Sequence, residues 1–179
     1  MSQTPNEPAS TVDSVTPIPT DSVTDIDEIV HHWTDLRQEG VERQAEAEAE
    51  RRHFLEDFRT NVDSVIRPAM QAAVARLGED GGGGLIEERE ESLMHRPRIV
   101  LWMSLDGEIV APRQDRNPYL QLDADAGRRR IEVWEGDMWE KEGVSRAGSP
   151  WELGDVSTKS VTQRILDILR RAARHGLSA

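Results

Sequence analysis

The feature that most constrains the fold of this chain is a stripe of apolar residues with helical spacing in its first half. The stripe recurs at three- and four-residue steps over roughly six helical turns. Its members are Phe54, Leu55, Phe58, Val62, Val65, Ile66, Ala69, Met70, Ala73 and Leu77. Such a pattern predicts a helix whose apolar face packs on another surface. Pro68 lies inside the stripe and predicts a kink or a break, because proline lacks the N–H donor and crowds the preceding turn.

A second, shorter stripe precedes it. Thr24 or Asp25 is a suitable N-terminal cap, followed by acidic residues in the first turn. Ile26, Ile29, Val30, Trp33 and Leu36 then share one helix face. Residues 41–53 are strong helix formers with almost no apolar face. We therefore expect one long kinked helix over 24–77, compatible with a coiled coil. Residues 1–23, rich in Ser, Thr and Pro, are predicted to form a disordered tail.

The second half of the chain reads as a small sheet closed by a helix. Residues 78–84 are rich in glycine and are predicted to be a linker. Strands are predicted at 98–105, 108–110, 119–123 and 129–134, with a hairpin turn at Asp106-Gly107. Residues 85–92 fit either an edge strand or a short helix. A final helix is expected from 155 or 157 to 175. The predicted class is α+β: a long kinked N-terminal helix, a four- or five-stranded antiparallel meander and a C-terminal helix, the last two forming a head over 85–176.

Charge and composition exclude several classes of protein. The formal net charge is −12, and the acidity is uneven: residues 1–94 carry 21 acidic and 8 basic side chains, residues 95–179 carry 13 and 14. The acidic half opposes binding to nucleic acid and to acidic membrane surfaces. No cysteine is present, which excludes disulfides and thiolate metal sites. No apolar run reaches the roughly 20 residues of a membrane span, and the N-terminus lacks signal-peptide features. We expect a cytoplasmic protein without membrane contact.

Motifs of catalysis and metal binding are missing. Glu28 and His31, and again Glu50 and His53, have the spacing of helical metal ligands. The two pairs are 22 residues apart, about 33 Å along a helix, so they cannot share one ion. The glycine run lacks the Lys and Ser/Thr of a phosphate loop, and no nucleophile elbow occurs. We expect no metal, no cofactor and no enzymatic activity, and an enzyme with an unrecognised site remains one alternative.

Aromatic residues and arginines share one face of the predicted sheet. Both are favoured in the energetic centres of protein interfaces. The candidate partner-binding residues are Trp102, Tyr119, Arg130, Trp134, Trp139 and Trp151. Burial of these tryptophans in a core is the plain alternative. A platform for single-stranded nucleic acid is another alternative, which the acidic first half opposes.

The long helical stripe is wider than a small sheet needs, and this predicts self-association. A second copy of the helix would cover the turns before Pro68, through Leu55, Phe58, Val62 and Ile66. Taken together, the sequence predicts a non-enzymatic interaction or assembly module, adaptor- or chaperone-like, that forms a homodimer and binds a protein partner.

Overall fold

The computed structural model describes residues 20–92, 95–105, 107, 117–136 and 146–176, and it confirms the α+β class. Helix α1 spans Thr20–Asn61, a π-helical turn spans Val62–Ile66, and helix α2 spans Arg67–Glu79. Strands β1 to β5 span Gly83–Arg89, Arg98–Ser104, Tyr119–Asp125, Arg130–Gly136 and Arg146–Ala147. A 3₁₀ turn at Leu153–Asp155 leads into helix α3, Thr158–Gly176.

Pro68 interrupts the N-terminal helix as the sequence predicts. The proline has no N–H to donate to the carbonyl of Ser64, and its ring crowds that carbonyl. The chain widens to a π-helical turn directly before it, where Arg67 donates its backbone N–H to the carbonyl of Val62. Pro68 then occupies the first turn of α2, where a missing donor costs little. Helix α1 begins at Thr20, four residues before the predicted Thr24.

The five strands form one antiparallel meander in the order β1-β2-β3-β4-β5. Residues 85–92, which the sequence left open between strand and helix, contribute to edge strand β1. Its first residues, Gly83 and Gly84, come from the predicted linker. Glycine is required at 84, since a Cβ there would lie 2.5 Å from Cγ2 of Val74 on α2. The predicted turn residue Asp106 and return strand 108–110 lie outside the described residues.

One layer of helices covers one face of the sheet. The end of α1, the π-helical turn and α2 pack there together with α3. Fully buried side chains come from each element: Ile66 and Met70, then Leu101, Leu120 and Ile131, then Ile165 and Ile168. Burying side chains of this size contributes roughly 1.5–3 kcal/mol each and holds the helices on the sheet.

The chain divides into two compact units, residues 1–46 and residues 47–179. Of the first unit, the structure describes the helix from Thr20 onward. The second unit contains the end of α1, the rest of the helices and the whole sheet. Residues 78–84, predicted as a linker, lie inside this second unit, and residues 1–19 of the predicted tail lie outside the described residues.

Candidate protein-interaction surfaces

The first unit carries an uncovered apolar surface, which we call the N-terminal stripe. Each of its side chains has between 48% and 66% of its surface accessible. The stripe consists of Ile26, Ile29, Val30, Trp33 and Leu36. Single exposed apolar residues are ordinary, but five large ones along one helix face make a candidate interaction site. Trp33 is the most exposed of the five and belongs to the residue type most enriched at interface centres.

Charge surrounds the N-terminal stripe. Residues 20–46 contain eight acidic side chains and two arginines, a net charge of −6. Asp27 and Arg37 lie on the same side of the stripe, Arg37 beside it and Asp27 about 80° further around the helix, and at ten residues apart they are too distant to pair within one helix. The ion pair seen in this unit joins Arg43 and Glu39 on an exposed face at 3.8 Å. An exposed pair of this kind contributes little to stability, so the stripe is the dominant feature of the unit.

The four residues predicted for self-association are buried within one chain. Leu55, Phe58, Val62 and Ile66 have 6% or less of their surface accessible and belong to the main core. The sheet and α3 already cover them, so no second copy is required to remove them from water. A charge introduced at Phe58 would therefore enter the core of the second unit, and would disturb folding as well as any contact between copies. Self-association through these four residues remains a prediction.

The aromatic face of the sheet forms a small core of its own. Val100, Trp102 and Tyr119 are buried together, with Trp134 packed beside them. The rings of Trp102 and Tyr119 are 5.1 Å apart between centroids and tilted by 45°, a favourable arrangement. The indole N–H of Trp102 donates to Oε2 of Glu87 at 2.9 Å. Trp102 and Tyr119 thus fill a core in the described structure, as the plain alternative anticipated.

The other predicted contact residues separate into different environments. Trp134 and Arg130 are half-buried and line an open groove of about 320 Å³ beside β5, with Ala147, Gly148 and Pro150. Trp151 exchanges backbone hydrogen bonds with Ile131 and packs on the main core, away from the Trp102 cluster. Trp139 lies outside the described residues. The structure therefore brings together Trp102, Tyr119 and Trp134 of the predicted set, and does not join Trp151 to them.

Charged groups on the sheet are largely engaged with one another. Glu135 is buried on β4 and accepts from Arg171 Nη2 at 3.0 Å, with Arg164 Nη1 3.7 Å away, so it fastens α3 to the sheet. Asp125 and Glu132 form a network of ion pairs with Arg96 and Arg128 at the turn that joins β3 and β4. Burial raises the pKa of Asp123, while a hydrogen bond from Gln121 and the charge of Arg98 act in the opposite direction.

No protein-family model, curated protein or solved structure matches this chain. Within the described residues, no group of three or more His, Asp or Glu side chains is placed to hold a metal ion. Among the helices that the structure describes, none combines the length and the apolar character that crossing a membrane requires. The N-terminal stripe is therefore the feature on which a functional proposal rests. The sequence identified its periodicity, and the exposure of its members is what the structure adds.

Proposed function

We propose that the protein is a non-enzymatic assembly module that self-associates through the N-terminal stripe. The observation that carries this proposal is the exposure of five large apolar side chains on one helix face: Ile26, Ile29, Val30, Trp33 and Leu36. A second copy of the same helix is the proposed occupant of this surface. Contact between two copies is isologous, so each apolar residue is used twice. The cytoplasm is the proposed compartment, since a chain without cysteine depends on no disulfide.

Charge favours an antiparallel pair of helices. When the two-fold axis crosses the pair at the level of His31, Ile26 of one copy lies level with Leu36 of the other, and Ile29 lies level with Trp33. Asp27 of one copy then lies two residues, about 3 Å of helical rise, from the level of Arg37 of the other, on the same side of the paired helices. A parallel pair would instead place Asp27 level with Asp27. The antiparallel arrangement thus brings two pairs of opposite charges to the same side at nearly the same level, from groups that form no ion pair within one helix in the described residues.

The energetics indicate a reversible dimer. The stripe side chains are about half exposed, so covering ten of them contributes on the order of 10 kcal/mol before the costs of association. Those costs are roughly 4–15 kcal/mol. The two magnitudes are similar, and the negative charge of each helix adds repulsion. At the lowest of these costs about 6 kcal/mol remains, so we expect a weak dimer that dissociates at tens to about one hundred micromolar. Salt should strengthen it, because salt screens the repulsion.

The proposal also includes a protein partner for the assembly. The net charge of −6 on residues 20–46 favours a basic partner, because complementary charge accelerates encounter and rejects acidic competitors. Such a partner would contact the polar side of the paired helices, which carries Glu28, Asp35, Glu39 and Glu42.

Sedimentation equilibrium over a range of concentrations tests the proposal. The wild-type chain is expected to pass from monomer to dimer between tens and about one hundred micromolar. Trp33→Asp is expected to remain monomeric, because it places a charge in the centre of the apolar contact. His31→Asp is the matched control, since it adds an aspartate two residues away on the opposite face of the same helix. It should dimerise as the wild type does.

Two outcomes would overturn the proposal. A wild-type chain that stays monomeric to several hundred micromolar would assign the stripe to a different protein or to another part of this chain. Equal loss of dimer in Trp33→Asp and His31→Asp would mean that added negative charge, and not the apolar contact, controls assembly. Unchanged far-ultraviolet circular dichroism in both variants ensures that helix content is held constant in the comparison.

A further inference from the structure

The two edges of the sheet differ in how they end. Strand β5 pairs with β4 at one edge and has only two residues, Arg146–Ala147, with Pro150 close behind it. A short strand and a nearby proline are two common ways in which a protein prevents another chain from pairing with an edge. Strand β1, at the other edge, has seven residues, no proline and an uninterrupted register with β2. Neither of these two protections applies to β1.

The hydrogen bonds of β2 show which backbone groups of β1 face outward. Met103 donates its N–H to the carbonyl of Pro118 at 2.8 Å, so Met103 and every second residue of β2 before it face β3. The residues of β2 between them face β1. Their partners on β1 are Gly83, Leu85, Glu87 and Arg89. The N–H and C=O groups of the alternate residues, Gly84, Ile86 and Glu88, therefore point away from the sheet.

This outward row of backbone groups is accessible. Within the residues that the structure describes, no strand pairs with it and no other backbone group forms a hydrogen bond with it. None of the seven residues of β1 is buried, whereas six of the seven residues of β2 are. A row of unpaired N–H and C=O groups at strand spacing is complementary to one kind of ligand, an extended polypeptide backbone.

The side chains along this edge favour a basic occupant. Residues 83–92 contain four glutamates and one arginine, a net charge of −3. Two of these glutamates are bound by arginines of the helices, whereas Glu87 and Glu90 form no ion pair in the described part of the chain. A lysine or arginine on a strand beside β1 would form an opposite-charge cross-strand pair with Glu87. Leu85 lies on the same face of the sheet as Glu87 and is 40% accessible, so it offers an apolar contact beside this charge.

A second copy of β1 fits this edge less well than a basic segment does. Pairing of two β1 strands would bring the four glutamates of one copy toward those of the other. Helix α2 packs on β1, so the α2 helices of both copies would also have to fit side by side. We propose that the outer edge of β1 binds an extended, basic segment of a partner protein by strand addition. The backbone of the segment pairs with Gly84, Ile86 and Glu88, and its basic side chains face Glu87. This site lies in the second unit and does not depend on the N-terminal stripe.

Hydrogen exchange of single amides, followed by nuclear magnetic resonance, tests the site. The probe is the capped peptide Lys-Val-Lys-Thr-Lys-Val-Lys. In the free protein, the amides of Gly84, Ile86 and Glu88 should exchange faster than those of Leu85 and Glu87, which donate to β2. Saturating peptide should slow exchange of the first three amides by about tenfold or more and leave the other two unchanged.

Two control peptides separate strand addition from general attraction to an acidic chain. The same peptide with a methyl group on every backbone nitrogen keeps its charge and side chains but has no N–H to donate. It should leave the exchange of all these amides unchanged. A peptide with glutamate in place of each lysine keeps the backbone and should bind more weakly by about tenfold or more, because it repels the edge.

A matched pair of substitutions at Ile86 tests the backbone directly. Ile86→Pro removes a donor that the pairing of β1 with β2 does not use, and proline is tolerated at such outward positions of an edge strand. It should weaken peptide binding by about tenfold or more, because the row loses one hydrogen bond and the ring obstructs the approaching strand. Ile86→Ala shortens the same side chain and keeps the N–H, so it should bind the peptide as the wild type does. Trp33→Asp should also bind normally, which distinguishes failure of this site from failure of self-association.

Four results would overturn the proposal. They are unchanged exchange at the three outward amides when the peptide is added, equal effects of the plain and the N-methylated peptides, equal binding of the lysine and glutamate peptides, and equal loss of binding in Ile86→Pro and Ile86→Ala. Protection that rises with protein concentration in the absence of peptide would assign the edge to a second copy and would also overturn it. If Ile86→Pro does not fold, the exchange experiment on the wild-type chain still decides.

Discussion

Two stretches of the N-terminal helix carry the same kind of apolar pattern and meet opposite environments. The N-terminal stripe of the first unit is at least 48% accessible at every position, whereas Phe58 and Ile66 of the second unit are 2% and 0% accessible. Both stretches have helical spacing and comparable side chains. The difference is that the second stretch shares one core with residues of the sheet and of α3 within the same unit. Periodicity identifies the apolar face of a helix, and the partner elements decide whether the chain covers it.

This contrast explains why assembly is proposed for the first stretch. A helix face that is already packed gains nothing from a second copy, since its apolar area has left the water. A face that remains accessible gains roughly 25 cal/mol for each Å² that a partner covers. The same pattern thus stabilises folding in one unit and is available for association in the other.

The largest expected effect comes from the same substitution made in both stretches. Ile66→Ala should lower the free energy of unfolding by about 2–5 kcal/mol, because it leaves a cavity in a fully packed core. Ile29→Ala should change it by no more than about 0.5 kcal/mol, because the side chain is 60% accessible. Urea unfolding of dilute, monomeric protein measures both. Similar losses at the two positions would show that the first stretch is also part of the folding core.

The α+β class and most helix and strand positions could be predicted from the sequence. The alternation in 98–105 and the caps of the last helix are local signals, and β2 and α3 lie where these signals predict. Residues 85–92 could not be settled, because glutamates favour a helix and only pairing with β2 makes the segment a strand. The break at Pro68 was predictable, while its π-helical form depends on how the surrounding turns repack.

The candidate surfaces were less accessible to sequence reasoning. Exposure of Trp33 and burial of Trp102 cannot be distinguished by residue type, because both tryptophans lie in amphipathic segments. The contact between Trp102 and Tyr119 depends on strand register, which a shift of one residue would abolish. The aromatic face of the sheet is formed by residues from several strands, so only the tertiary arrangement reveals it, whereas the N-terminal stripe is local and only its exposure required the structure.

A smaller effect tests the orientation of the paired helices. Arg37→Asp should weaken the dimer, and adding Asp27→Arg should recover the loss, since the two contacts re-form with reversed signs. The control adds Glu28→Arg to Arg37→Asp, which restores the same net charge on the other side of the stripe. Each exposed pair is worth about 0.2–1 kcal/mol, so recovery amounts to a change of a few-fold in the dissociation constant. Equal recovery by both second changes, in sedimentation experiments, would exclude the antiparallel pair.

The smallest expected effect compares a carboxylate of the sheet with one of the exposed helix. Burial raises the pKa of Asp123 above its ordinary value of 3.8, so the folded state favours the protonated form. The stability associated with Asp123 is therefore fully present below the ordinary pKa and is lost as the pH rises through the raised pKa of the folded state. Asp123→Asn removes this loss and keeps an acceptor for the side-chain amide of Gln121. It should stabilise the fold near neutral pH, and the gain should disappear in acid.

Asp35→Asn removes the same charge from an exposed position of the N-terminal helix and serves as the control. Urea unfolding at several pH values would contradict the assignment if Asp123→Asn were destabilising at neutral pH, because Asp123 would then act as a stabilising charge toward Arg98 and Arg96.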